Sequence, residues 1–165
     1  MKTTVLKALF FMAMVTGLSA TAQAEELPRD HHAISSKAMS NPTYVQEYQA
    51  ITEVLSKYLE GCKQAKSSIM KPAFSKNATM YSVGADGQLV GGSIQSLFDG
   101  IDKDFRPSPN AQAAITSINI VGTAASARID ANDMSGISFT DLFHLLKVSG
   151  KWTVVSKIYY THPNH

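Results

Sequence analysis

The residues best suited to chemistry gather near the carboxyl end, in Phe139-Thr-Asp-Leu-Phe-His-Leu-Leu-Lys-Val-Ser-Gly-Lys-Trp-Thr-Val-Val-Ser-Lys157 and the Ile158-Tyr-Tyr160 that follows. His144 titrates near neutral pH and suits proton transfer. Lys157 and a tyrosine hydroxyl suit holding an anion or a developing oxyanion. If Ser149-Gly150 is a two-residue turn, Val148 pairs with Lys151. The ladder then runs through Leu146 with Thr153, His144 with Val155, Leu142 with Lys157, and Thr140 with Tyr159. Facing residues share one side of a sheet. Thr140, Leu142, His144, Val155, Lys157 and Tyr159 therefore form one face. Phe139, Asp141, Phe143, Leu145, Trp152, Val154, Ser156 and Ile158 form the other, and a one-residue slip in either strand reverses that strand's set. A small-molecule site wants apolar walls and a few convergent polar groups, so the first face is the expected cavity lining. The second is nearly continuous hydrophobe. It is expected to be covered by a second subunit in a twofold homodimer, with Asp141 at or near that interface, paired with Arg128.

Each of these residues also has a structural reading. His144 fits a half-buried histidine satisfied by a tyrosine or a carbonyl. Lys157 fits a solvent-reaching stem, or an ion pair with Asp141 or Arg128. Cys62, the only cysteine, reads better as a small buried hydrophobe than as a reactive thiol, and it excludes an intrachain disulfide. His31, His32, His162 and His165 lie towards the ends without a fixed carboxylate or metal-ligand spacing, so no metal or other cofactor is expected. Asp99, Asp102 and Asp104 read as a solvated helix face. No nucleophile elbow, phosphate loop or dinucleotide fingerprint is present.

Three helices and six strands must position these groups. Asn41-Pro42 can cap and start a long helix. Tyr44, Tyr48, Ile51, Leu55, Tyr58, Cys62 and Ala65 recur along it at spacings of three and four, which is one face. Gly61 inside it weakens the helix by about 1 kcal/mol relative to alanine, which points to close packing there. Ser67-Ser68 can cap a short helix through Phe74. Thr79 to Val83, the Asp86-Gly87 turn and Gln88 to Val90 read as a hairpin. Gly91-Gly92 breaks the pattern, and Ser93 caps a third helix carrying Ile94, Leu97, Phe98, Ile101 and Phe105. Four strands follow, at Ala114 to Val121, Ala124 to Asp130, Ser138 to Val148 and Trp152 to Tyr160. Long strands with apolar residues on both faces need cover on both sides.

The amino-terminal segment is of another kind. Lys2 and Lys7 precede the apolar run Ala8 to Leu18, and Ala22-Gln23-Ala24 ends the polar stretch after it. That order predicts a signal peptide over residues 1–24, cut before Glu25 or two residues earlier, and hence a periplasmic or secreted protein. The run is too short to span a bilayer. Residues 25–40 read as a flexible leader, and residues 41–161 as one domain. The whole chain has 15 Lys+Arg against 13 Asp+Glu, and Lys2 and Lys7 account for the excess. A neutral mature domain without a basic run has no footprint for nucleic acid.

The Phe139–Lys157 segment resembles the end of the nuclear-transport-factor-two-like superfamily, and more narrowly of its lumazine-binding branch. Tyr58-Leu-Glu-Gly61, Leu89-Val-Gly-Gly-Ser93 and Gly122-Thr-Ala-Ala-Ser-Ala-Arg128 fit the same pattern, so the resemblance spans residues 44 to 160. It implies an α+β fold: a cone-shaped, curved antiparallel sheet wrapped over three helices, with a cavity at the open end. Members of the superfamily include isomerases, dehydratases, binding proteins and partner-recruiting domains, so the fold alone does not set the function. Against the ketosteroid-isomerase members, Tyr58 falls where they carry an oxyanion-stabilising tyrosine. Ser82 falls where they carry the catalytic base and Leu142 where they carry a second acid, so the steroid chemistry does not transfer. Tyr58 otherwise reads as helix core with its hydroxyl bonded. The expected function is an exported domain binding a small, partly apolar molecule, with Tyr58, Tyr81, Ser82, Leu142, His144, Val155, Lys157 and Tyr159 around it. One rival is an isomerase or dehydratase with His144 as acid/base and Tyr58 and Lys157 stabilising charge. The other is a dimeric interaction module without catalysis.

Overall fold

The computed structural model describes residues 42–163. The expected signal peptide, the leader, the Asn41 cap and His31, His32 and His165 lie outside them. Helix α1 spans Pro42–Gln64 and α2 spans Ser67–Met70, followed by a 3-10 turn over Lys71–Ala73. Strands β1 (Phe74–Val83) and β2 (Leu89–Ser93) lead into α3 (Gln95–Asp104). The meander β3 (Gln112–Val121), β4 (Ala124–Met134), β5 (Ile137–Val148) and β6 (Lys151–His162) ends the domain. No helix among these residues is long and apolar enough to cross a membrane.

The periodicity of α1 is realised in its buried face, where Ile51, Leu55, Tyr58 and Cys62 are all sealed from solvent. Ala65 leaves the helix with φ 53°, and Lys66 N–H donates back to the Gly61 carbonyl at 2.9 Å. This is the left-handed exit that satisfies the last carbonyls of a helix. Gly61 is where α2 packs against α1: a Cβ there would lie 2.9 Å from the Met70 side chain. The expected helix through Phe74 stops earlier. Pro72 has no N–H to continue an α-helical ladder, and the chain tightens into the 3-10 turn before β1 begins at Phe74.

The six strands form one sheet in the order β2-β1-β6-β5-β4-β3. It is curved and unclosed, with its helices against one face. All neighbours are antiparallel except β1 and β6, which pair in parallel. The sheet is therefore mixed rather than wholly antiparallel. The parallel pair joins the β1–β2 hairpin to the meander and covers an edge that either unit alone would expose.

Lys147 and Trp152, a facing pair on β5 and β6, pin the middle of the sheet to α1. Both donate to the Glu47 carboxylate, the indole N–H at 2.6 Å. The Lys147 bond, then the Trp152 bond, hold the Glu47 carboxyl below its ordinary range. A carboxylate depressed on folding contributes stability above its unfolded pKa, and loses it as pH falls through the folded value. Stability is therefore expected to decline below about pH 4.5, and Glu47→Gln should flatten that decline. Thermal melting followed from neutral to acid pH in both proteins checks this.

Candidate functional site

The turn at the end of β5 forms as its sequence predicts. Ser149 and Gly150 both have positive φ, 49° and 79°, and Val148 faces Lys151. Leu146 faces Thr153 and Leu145 faces Val154. The register then shifts: His144 faces Ser156, Phe143 faces Lys157, Leu142 faces Ile158 and Asp141 faces Tyr159. Val155 is the extra residue of a bulge, and beyond it the two strands are out of the expected phase. An inserted residue of this kind bends and twists the strand that carries it.

The bulge redistributes the expected site. Lys157 and Tyr159 turn to the inner face with Phe139, Asp141 and Phe143, while His144, Leu142 and Ile158 turn outward. His144 is exposed and its Nδ1 lies 2.9 Å from Ser156 Oγ. It does not share a cavity with Lys157, contrary to the expected register. Leu142 is exposed on the same outer face. Tyr81 faces outward Ile158 across β1 and β6. Ser82 and Val155 are not among the cavity's walls. Phe139, Phe143, Leu145 and Val154, expected to meet a partner subunit, are buried within the domain against the helices. Arg128 pairs with Asp130 rather than Asp141, and His162 Nε2 lies 2.9 Å from Thr140 Oγ1. Asp102, expected to be solvated, accepts from both the backbone N–H and the hydroxyl of Ser67. Among the described residues no cluster of three His, Cys, Asp or Glu is placed to hold a metal.

The inner face brings together Tyr58, Lys157 and Asp141: Asp141 is not at a subunit interface with Arg128 but is the ion-pair partner that the structural reading of Lys157 allowed. Tyr58 Oη donates to Asp141 Oδ2 at 2.6 Å, and Lys157 Nζ donates to Asp141 Oδ1 and to Tyr58 Oη at 3.5 Å. Tyr58 is 1%, Asp141 0% and Lys157 3% exposed. Buried charges need pairing and hydrogen bonds, and here each charge has both. A sign of this was present in β5: a lone acid among Phe139, Phe143 and Leu145 must find a buried cation.

The Tyr58 proton is directed at Asp141, so this tyrosine is not a free donor to a bound oxyanion. Burial, then the Asp141 charge, raise its pKa well above the ordinary phenol value. One turn further on, burial pushes the Cys62 thiol up to about 12. The Lys157 ammonium has three protons, and Asp141 and Tyr58 take two. The Tyr159 ring centroid lies 4.5 Å from Nζ, a cation–π contact that holds the ammonium towards the cavity.

That cavity has a volume of about 250 Å³; Tyr58, Cys62 and Lys157 line it together with Ser96, Thr161 and a larger apolar set that includes Met80, Leu97, Phe105 and Phe139. Gly100 of α3 also lines it, and a Cβ added there would meet no atom within 4 Å. Gly100→Ala is expected to stabilise the domain by about 1 kcal/mol, because the position is an ordinary helical one. Urea unfolding measures this directly.

A curved mixed sheet backed by helices, with an apolar cavity between them, defines the nuclear-transport-factor-two-like class. The family described as "Putative lumazine-binding" matches residues 46–160, and the chain belongs to that family. It is similar to a nuclear-transport-factor-two-like protein of unknown function from Shewanella baltica OS155, at 68% identity and TM-score 0.74, covering 75% of this chain and all of that one. Another of unknown function, from Methylobacillus flagellatus KT, is 39% identical with TM-score 0.67, covering 72% of this chain and 94% of the other. Aldolase FrzH from a Cladobotryum species is 27% identical over 121 residues, 71% of this chain and 93% of that enzyme.

Proposed function

We propose that this is an exported small-molecule-binding domain whose cavity takes a compact, largely apolar molecule with a carbonyl or anionic group against Lys157. The observation that carries the reading is an apolar cavity ending in a buried lysine with one N–H left over. The family's description as lumazine-binding agrees with a small-molecule role. An engineered apolar cavity of about 150 Å³ accepts benzene, so the larger space here suits a single substituted ring. Benzyl alcohol and benzoate are the probes. Both should raise the melting temperature of the wild type, and Gly100→Leu, which fills the cavity from α3, should abolish the shift while the protein stays folded. No shift with either probe would defeat the reading.

A second reading is an enzyme acting on carbonyl compounds. The aldolase relative supports it, as does a lysine held dry at the end of the cavity. His144, exposed on the far side of the sheet, is not part of it.

Export rests on the order of residues 1–24, and amino-terminal sequencing of protein recovered outside the cytoplasm should begin at Glu25; an intact Met1 would refute it. A homodimer through the outer sheet face is the remaining part of the proposal. Its support is the exposure of Leu142, Leu146, Ile158 and Tyr160 on that face, apolar side chains that a second copy of the chain would cover. Light scattering at micromolar concentration should give twice the chain mass.

A further inference from the structure

We propose that Lys157 captures an aldehyde or ketone entering the cavity, condensing with it to a Schiff base. The inference deepens the carbonyl-enzyme reading above and rests on it. Lys157 is a buried lysine among the described residues, and it stands in the cavity wall rather than at a surface ion pair such as Lys147 with Glu47. Two partners in contact with Nζ can move the protons that condensation requires. Asp141 accepts from Nζ through Oδ1, and Tyr58 Oη bridges Nζ and Asp141 Oδ2.

The step balances within these groups. The Lys157 ammonium gives one proton to Asp141, and its freed lone pair forms a C–N bond to the carbonyl carbon as the C=O π pair moves to oxygen. The second nitrogen proton and the proton stored on Asp141 pass to that oxygen, which leaves as water when the C–O bond breaks. Ammonium and carbonyl become iminium and water, with no oxidant, reductant or net proton. The electrostatics select this chemistry over others open to an amine. An iminium keeps the positive charge, so Asp141 remains paired. Acylation of Nζ would neutralise the lysine and leave a carboxylate that is 0% exposed without its counter-charge, which is strongly unfavourable.

The test uses the wild-type full chain with benzaldehyde and sodium cyanoborohydride, which fixes an iminium as a stable benzyl amine, followed by peptide mapping. Lys157 is expected to be benzylated on the order of tenfold faster than the exposed Lys76 or Lys151. Benzyl alcohol, which fits the cavity but cannot condense, should slow labelling of Lys157 and leave the exposed lysines unchanged. Labelling of Lys76 and Lys151 with Lys157 unmodified would overturn the inference. Thermal shift with benzyl alcohol then separates the two failures: a shift preserves cavity binding and removes only covalent capture, and no shift removes both.

Discussion

Asp141→Asn should lower folding stability by about 3–5 kcal/mol, the usual loss when one partner of a buried ion pair is removed. The substitution is nearly isosteric, so the loss measures charge rather than volume. The amide still offers Tyr58 an acceptor, but Lys157, 3% exposed, keeps a positive charge with no counter-charge in contact. Adding Lys157→Met should recover most of the loss, because the stranded charge goes with it. Urea midpoints at constant slope give both numbers. A double variant as unstable as Asp141→Asn alone would mean that the carboxylate acts through packing and not through pairing.

Gly91→Ala should cost at least about 2–3 kcal/mol, from backbone strain and overpacking together. Gly91 sits at φ +141° on β2, opposite Tyr81, and an added Cβ would fall 2.1 Å from the Met80 carbonyl oxygen and 2.8 Å from Tyr81 Cα. Those are backbone atoms of β1, so relief requires the hairpin to part. Met80 is also a cavity wall, so the variant should lose probe binding along with stability. Gly100→Ala makes the same chemical change with the opposite sign. Thermal melting of the two alanine variants side by side is the check, and equal effects would contradict both assignments.

Much of the architecture was legible in the chain because it is local. The three-and-four spacing of Ile51, Leu55, Tyr58 and Cys62 marks the buried face of α1, and the Ser149-Gly150 turn sets the first pairs of the last hairpin. The site was half legible. Tyr58, Lys157 and Tyr159 line the cavity as the sequence predicts, whereas His144 faces outward and Asp141, expected at a subunit interface, is the buried partner of Lys157. One residue made the difference. Val155 bulges without glycine, proline or asparagine to mark it, since a bulge can be accommodated by ordinary residues at ordinary angles. Strict alternation counted through it reverses every assignment beyond. The parallel pairing of β1 with β6 was hidden for a different reason, as it depends on contacts between distant segments that no short window contains.

Tyr58 and Asp141 are 83 residues apart in sequence, and Tyr58 and Lys157 are 99 apart. Closing loops of that length before any contact repays the lost freedom is slow, and topologies rich in such contacts fold late and slowly. The Tyr58–Asp141–Lys157 cluster exists only after the last strand has docked between β1 and β5. A chain released short of β6 would lack Lys157 and leave β1 and β5 with open edges. On the proposed reading, ligand capture would be a readout of completed folding: an intermediate that lacks the final strand lacks Lys157, so a ligand added during refolding would stabilise only the finished domain.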